Sequence, residues 1–239
     1  QTANSDKGFF LMIEGSRIDM AAHSNDPGTH VHEVLAYYEA VKVVRKYVDD
    51  HPGTVMISVS DHETGGLSLA RQINSTYPQY LWYPDVITRI KNSSYALAVQ
   101  LADYWKADRL NFINETILRG SLGIDDFTNE EVTFLNENQT LQSYEYYLAN
   151  LTSWRAQIGW ATHGHSAVDV NLYARGKDTE KLRGNHENTY IGEFIKDYLG
   201  LDLDSITLKL NSDNASFHLS SPNITSFNAD HLAHYHHLH

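Results

Sequence analysis

The chain has no cysteine. That excludes a disulfide framework and any zinc site built on thiolates. Proline is scarce, with five in 239 residues, and no apolar run is long enough to span a membrane as a helix. Bases are in deficit: 18 Lys and Arg stand against 30 Asp and Glu, for a formal net charge of −12. A nucleic-acid binder needs a basic footprint, so no nucleic-acid partner is expected. A phosphate would be repelled over most of such a surface. A phosphate site here needs concentrated local positive charge, most simply metal ions. There is no Gly-X-Ser-X-Gly elbow, no P-loop and no His-Glu-X-X-His pair.

What is present begins with Asn-X-Ser/Thr. It occurs at Asn74, Asn92, Asn114, Asn138, Asn150, Asn214 and Asn223. Seven such sequons fit a glycosylated protein of the secretory route, either secreted or held in a vacuolar lumen. No signal peptide precedes them, which a processed amino terminus would explain.

The apolar patterning points to α/β architecture. "FFLMI", Phe9 to Ile13, reads as a fully buried strand. Thr29 can cap a helix over about His30 to Asp49, whose Val31, Val34, Leu35, Tyr38, Val41 and Val48 fall near helical spacing. "HPG" at His51–Gly53 stops it. "TVMISVS", Thr54 to Ser60, is a second buried strand, so the unit is strand, helix, strand with parallel pairing. Gln72 to Trp154 differs. It is rich in Asn, Ser, Thr and Tyr, holds five of the seven sequons, and contains one helix candidate, "SSYALAVQLADYWKAD". "VDVNLYARG" returns to a strand pattern. "HENTYIGEFIKDYLG" is a helix with Gly200 at its end. The expected divisions are 1–71 and 156–205 as core, 72–155 as an insertion exposed on one side, and 206–239 as a polar tail. That tail ends in solvated histidines, among them His231, His234, His236, His237 and His239. His30 and His32 are expected to be exposed near a helix start.

The chemistry-bearing residues gather where strands end, the edge at which sites form in open α/β sheets. Glu14, Asp19 and His23 follow the first strand. Asp61 and His62 follow the second, before Gly65 and Gly66. His163 and His165 precede the third. Asp19 and His23 are four apart, so one helical turn brings both to one cation. Oxygen and nitrogen donors without sulfur suit zinc in an open site, with magnesium preferring carboxylates.

"FFLMIEGSRIDMAAH", "VMISVSDHETGG" and "THGHSAVDVNLYARG" resemble three metal-binding blocks of the alkaline phosphatase family, fungal vacuolar or secreted type. The resemblance covers most of Gly8 to Leu203 and implies its carboxyl-terminal half. The implied fold is a mostly parallel central sheet between helices, incomplete in this chain, with 72–155 as a crown-like insertion. The implied cofactors are two zinc ions and one magnesium. Glu14 would bind magnesium, Asp19 and His23 the first zinc, and Asp61 and His62 the second. The remaining first-zinc histidine stands four residues before an Asp-Val pair in that family. Counting back from Asp169–Val170 selects His165, with His163 left to support or packing.

The implied activity is hydrolysis of phosphate monoesters through a phosphoserine, as a homodimer. Two ions roughly 4 Å apart can clamp the attacking and leaving oxygens of such a displacement. Two departures stand out. Met20 follows Asp19 where relatives often carry His or Lys. The family's Asp-Ser-Ala nucleophile, its substrate-binding arginine and the acid joining magnesium to the second zinc have no counterpart here. Asp204–Ser205 lacks the small residues that should follow the serine. The expectation is a missing amino-terminal half that carries these groups, with this chain inactive alone. The alternatives are a hydrolase of phosphodiesters, phosphonates or sulfate esters on the same scaffold, and a non-catalytic metal-binding glycoprotein fragment.

Overall fold

The computed structural model describes residues 8–212. The sequons at Asn214 and Asn223 and the terminal histidines lie outside the described residues. The chain divides into two compact units, Gln1–Asn185 and His186–His239.

The first unit runs α1 (Ser16–His23), α2 (Pro27–Asp50), β1 (Met56–Val59), β2 (Glu63–Thr64), β3 (Ser68–Leu69), α3 (Pro84–Arg89), α4 (Ser94–Asp103) and α5 (Arg109–Asn111). α5 continues into a π-helix, Phe112–Ser121. Then come α6 (Asn129–Asn136), α7 (Leu141–Ala156), β4 (Ile158–Gly159), β5 (His165–Ser166) and β6 (Leu172–Arg175).

The core lies in the stretch that is rich in Asn, Ser, Thr and Tyr and holds five of the seven sequons. Leu97, Ala98 and Leu101 of α4, Ile113, Ile117 and Leu118 of the π-helix, Leu135 of α6 and Tyr144 and Leu148 of α7 are all fully buried in one cluster. The stretch is thus a packed helical body as well as a carrier of surface asparagines. Its helix ends are satisfied by side chains. Ser93 caps α4, Thr140 caps α7, and Thr128 with Glu131 forms a capping box on α6. Inside sits a buried cation, Arg109. Its guanidinium donates to the carbonyls of Leu101, Tyr104 and Leu135 and to the Tyr144 hydroxyl. Two of those carbonyls belong to the last turns of α4 and α6, where helix dipoles favour positive charge. That is how this charge is tolerated without a carboxylate partner.

α2 starts three residues before its expected position. Asp26, not Thr29, is the cap: it accepts from the Thr29 amide at 3.0 Å and the Thr29 hydroxyl at 2.8 Å, with Pro27 opening the helix. The same buried carboxylate accepts from the Ser94 amide at 2.8 Å, tying the start of α2 to the start of α4.

Among the described residues, the expected parallel pairing does not form. Phe9 to Ile13 has no assigned secondary structure and makes no ladder, and Phe10, Leu11, Met12 and Ile13 are exposed. β1 pairs with β6 antiparallel, Met56 opposite Arg175 to Val59 opposite Leu172. β2 with β5 and β3 with β4 are also antiparallel. A strand is held by a neighbour's donors and acceptors, and among the described residues none is offered to Phe9–Ile13. The apolar stripe of α2 is likewise uncovered: Val31, Val34, Leu35 and Tyr38 are exposed and only Val48 of that set is buried.

The second unit contains α8 (Thr189–Leu199) and α9 (Leu203–Ser212). Gly200 closes α8 with φ +63°, as the sequence predicts. At α9, Asp202 accepts from the Ser205 amide at 3.0 Å and from its hydroxyl at 2.5 Å. Ser205 is therefore engaged in a helix cap.

Candidate metal centre

α1 carries Asp19 and His23 on one face, one turn apart, with Ala21 and Ala22 buried. The small alanines let the turn lie close to the β2 segment, where the Ala22 carbonyl approaches Gly65. Gly65 has φ +91°, and a Cβ there would stand 2.6 Å from the Trp160 ring. Only glycine fits both the conformation and the space. Its amide donates to the Gly164 carbonyl at 2.8 Å, and its own carbonyl accepts from Ala161 at 2.9 Å. This crossing sets the register that places Glu63 opposite Ser166 and Thr64 opposite His165.

The register stacks the His62 and His165 rings with centroids 3.7 Å apart. The His23 ring lies 5.1 Å from His165. One donor atom each from Asp19, His62 and His165 falls within 4.8 Å of the other two, close enough to share an ion. Two further spacings fit a cation. Asp19 Oδ2 is 3.4 Å from His23 Nε2, and Asp61 Oδ2 is 3.5 Å from His62 Nε2. Charge-assisted hydrogen bonds are shorter, about 2.7–2.9 Å. Two ligands of one tetrahedral zinc, each about 2.0 Å from it, stand roughly 3.3 Å apart. The donor set therefore fits a divalent ion.

The ring orientations are set by the backbone. His23 Nδ1 donates to the His163 carbonyl at 2.5 Å, which leaves Nε2 as the acceptor on the Asp19 side. His163 Nδ1 donates back to the His23 carbonyl at 2.7 Å, and its ring stacks on Tyr146 at 3.9 Å. His163 packs and supports, while His165 faces the cluster. Burial, then the neighbouring His62 and His23, hold His165 below the ordinary imidazole value, against the opposite pull of Asp19 and Asp61. A neutral ring is the form that ligates a metal.

Glu63 fastens the platform. It accepts from the Gly66 amide at 2.9 Å and from the Ser166 hydroxyl. Burial acts to raise its carboxyl, but the Ser166 hydroxyl and the amides of Gly66, Leu67 and Ser166 hold it below the usual range. Glu63 and Thr64 were not singled out from sequence. Their position inside "DHETGG", between a ligand-type histidine and two glycines, was the available signal.

Of the residues expected at the site, the structure gathers Asp19, His23, His62 and His165, with Asp61 beside His62. Glu14 lies exposed on the segment leading into α1, outside the three-residue cluster. His30 departs from expectation. It is half-buried, edge-on to Trp160, and burial lowers its pKa against the influence of Asp26 and Glu63. His32 is exposed as expected.

Comparison with known proteins bears on this arrangement. The chain is 43% identical over 225 residues to the repressible alkaline phosphatase of Saccharomyces cerevisiae, covering 87% of this chain and 40% of that one. It is 43% identical over 208 residues to the alkaline phosphatase of Schizosaccharomyces pombe, covering 87% and 39%. It thus spans about 40% of the length of these curated relatives. The structure resembles a cold-active alkaline phosphatase from the psychrophile Shewanella sp., with a TM-score of 0.68, 32% identity and coverage of 81% and 46%. It also resembles the alkaline phosphatase of Thermus thermophilus, with a TM-score of 0.61, 25% identity and coverage of 82% and 44%. The fold is α/β of the alkaline phosphatase type, incomplete in this chain. A sequence model of alkaline phosphatase matches residues 2–201, and the chain belongs to the alkaline phosphatase family.

Proposed function

We propose that this chain supplies the metal-binding half of a phosphate monoester hydrolase that works through a phosphoserine. The observation that carries the reading is the convergence of Asp19, His62 and His165, with His23 and Asp61 each one ligand spacing away. That cluster would straddle two neighbouring ions: Asp19, His23 and His165 would hold one zinc, Asp61 and His62 a second, and Glu14 a magnesium. Bound there, the cations would supply the positive charge that a phosphate ester requires and that a chain of net charge −12 otherwise lacks. The chain's own groups orient the ligands. The His163 carbonyl aims the His23 ring, and the Gly65 crossing sets the distance of His165 from α1.

The serine nucleophile and the substrate-binding arginine belong to further polypeptide of the same protein. That polypeptide would cover Phe10–Ile13 and the Val31–Tyr38 stripe, since contiguous exposed apolar surface marks an interface. The helical body serves as the crown-like part, the complete protein is a homodimer, and its location is secreted or vacuolar. Asn74, Asn92, Asn138 and Asn150 are exposed, as glycans require. Asn114 is the exception, because its side-chain oxygen is buried.

Kinetics on the protein that contains this chain together with its upstream part test the reading. A zinc-loaded sample should hydrolyse a phosphate monoester. Asp19→Asn and His62→Ala should each lower kcat/KM by more than about a hundredfold. A preference for a phosphodiester or sulfate ester, or variants as active as the unaltered protein, would overturn it.

A further inference from the structure

Thr64 is not a residue type that zinc favours, yet it stands between two that are. Its hydroxyl donates to Asp19 Oδ1 at 2.6 Å, and the same oxygen lies 3.1 Å from His62 Nδ1. A hydroxyl has one proton to give, and an ionised carboxylate can only accept. The proton therefore goes to Asp19, and the oxygen accepts from His62 Nδ1–H. The donors run in one direction, from His62 through Thr64 to Asp19. This order leaves His62 Nε2 with the ring's lone pair, and Nε2 is the atom that faces Asp61 Oδ2. Thr64 is itself held on both sides. It pairs with His165 across the β2–β5 ladder, and the Gly65 crossing follows it directly.

From this juxtaposition we infer that Thr64 is a positioning residue that couples the two ligand pairs, Asp19 with His23 and Asp61 with His62. It orients the Asp19 carboxylate and selects the His62 tautomer before a cation arrives. The inference rests on the metal-centre reading above. Outer partners of this kind govern how well first ligands bind. A threonine present only for its strand propensity would be replaceable by valine, which has the same shape and no hydroxyl.

The test uses the protein that contains this chain together with its upstream part, with 15N-labelled histidine, metal-free and above the imidazole titration range. His62 is expected as the Nδ1–H tautomer in the unaltered chain and in Thr64→Ser. Thr64→Val should lose that preference. Competition with a chromophoric chelator should show zinc held about ten- to a hundredfold more weakly by Thr64→Val. Thr64→Ser should stay near the unaltered value, which general loosening of the strand would not produce. An Nε2–H ring in the unaltered metal-free chain overturns the coupling, as does a valine variant that holds zinc as tightly as the unaltered chain. Should the valine variant not fold, the tautomer in the unaltered chain and in Thr64→Ser decides. An unaltered chain that takes up no zinc overturns the metal-centre reading, and the coupling with it, whatever the tautomer.

Discussion

The helical body from α3 to α7 and the histidine cluster between α1 and β5 are built from different materials. In the body, Leu97, Leu101, Ile117, Leu135 and Leu148 are wholly withdrawn from water, and caps close the helix ends. Around the cluster, the ladders are two residues long and the side chains are half-exposed histidines and acids. The first region is stabilised by apolar burial, which is non-directional and grows with area. The second is held by directional bonds that each contribute only about 0.5–1.5 kcal/mol net. It follows that the body can carry stability while the cluster keeps donor atoms unshielded for a cation. The cost is a site whose geometry depends on a few close contacts.

The sharpest way to break this comparison is Leu97→Ala. With no exposed surface to begin with, the truncation should cost about 2–5 kcal/mol in urea unfolding, through lost burial and the cavity left behind. Zinc affinity of the folded fraction should not move. If it falls in step with stability, the two regions are one cooperative object and the distinction is false.

Gly65→Ala should do the reverse. Its Cβ would meet the Trp160 ring at 2.6 Å from a backbone of φ +91°, so strain of about 1–3 kcal/mol is expected. The β2–β5 register should shift, and zinc affinity should drop by more than the loss of stability explains. Unchanged affinity would mean that the crossing does not position the ligands.

The smallest effect tests the border between the regions, at His30. Burial lowers its pKa from 6.5, more than Asp26 and Glu63 raise it. The folded state therefore favours the neutral ring. Stability is complete above about pH 6.5, the unfolded value, and falls below it because the unfolded chain takes up the proton first. The loss levels off once pH passes the lowered folded value. Urea midpoints measured from about pH 7.5 down to about pH 5 should show this slope. His30→Gln should flatten it without abolishing it, since His165 is shifted in the same direction. An unchanged slope would remove His30 from the account.

Local signals in the sequence held where the cause is local. The helix candidate that contains α4, Gly200 closing α8 and the helix over α2 all follow from short-range rules. The start of α2 was misread because Thr29 is a good cap by type, while Asp26 wins by bonding to α2 and α4 at once. Phe9–Ile13 has strand composition, but composition cannot supply a neighbour. The core of the helical body was underestimated because its apolar residues are diluted among Asn, Ser and Tyr, and burial depends on which faces meet. At the site, residue type and spacing pointed to Glu14, Asp19, His23, Asp61, His62 and the pair His163 and His165, and the family resemblance selected His165 of that pair. The roles of Thr64 and Glu63 were not legible, because nothing local shows where a threonine hydroxyl or a part-buried carboxylate will find its partner.

By itself, the sequence determined the family resemblance, the sulfur-free donor set, the net acidity and the presence of helices over α2, α4 and α8. Each depends on residue identity or on spacings within a few turns of chain. Only the tertiary structure decided that the His163 carbonyl orients His23, that Thr64 links Asp19 to His62, and that the β2–β5 pairing is antiparallel. These depend on contacts between residues 45 to 140 positions apart, and such contacts are set by packing and by the room that Gly65 leaves.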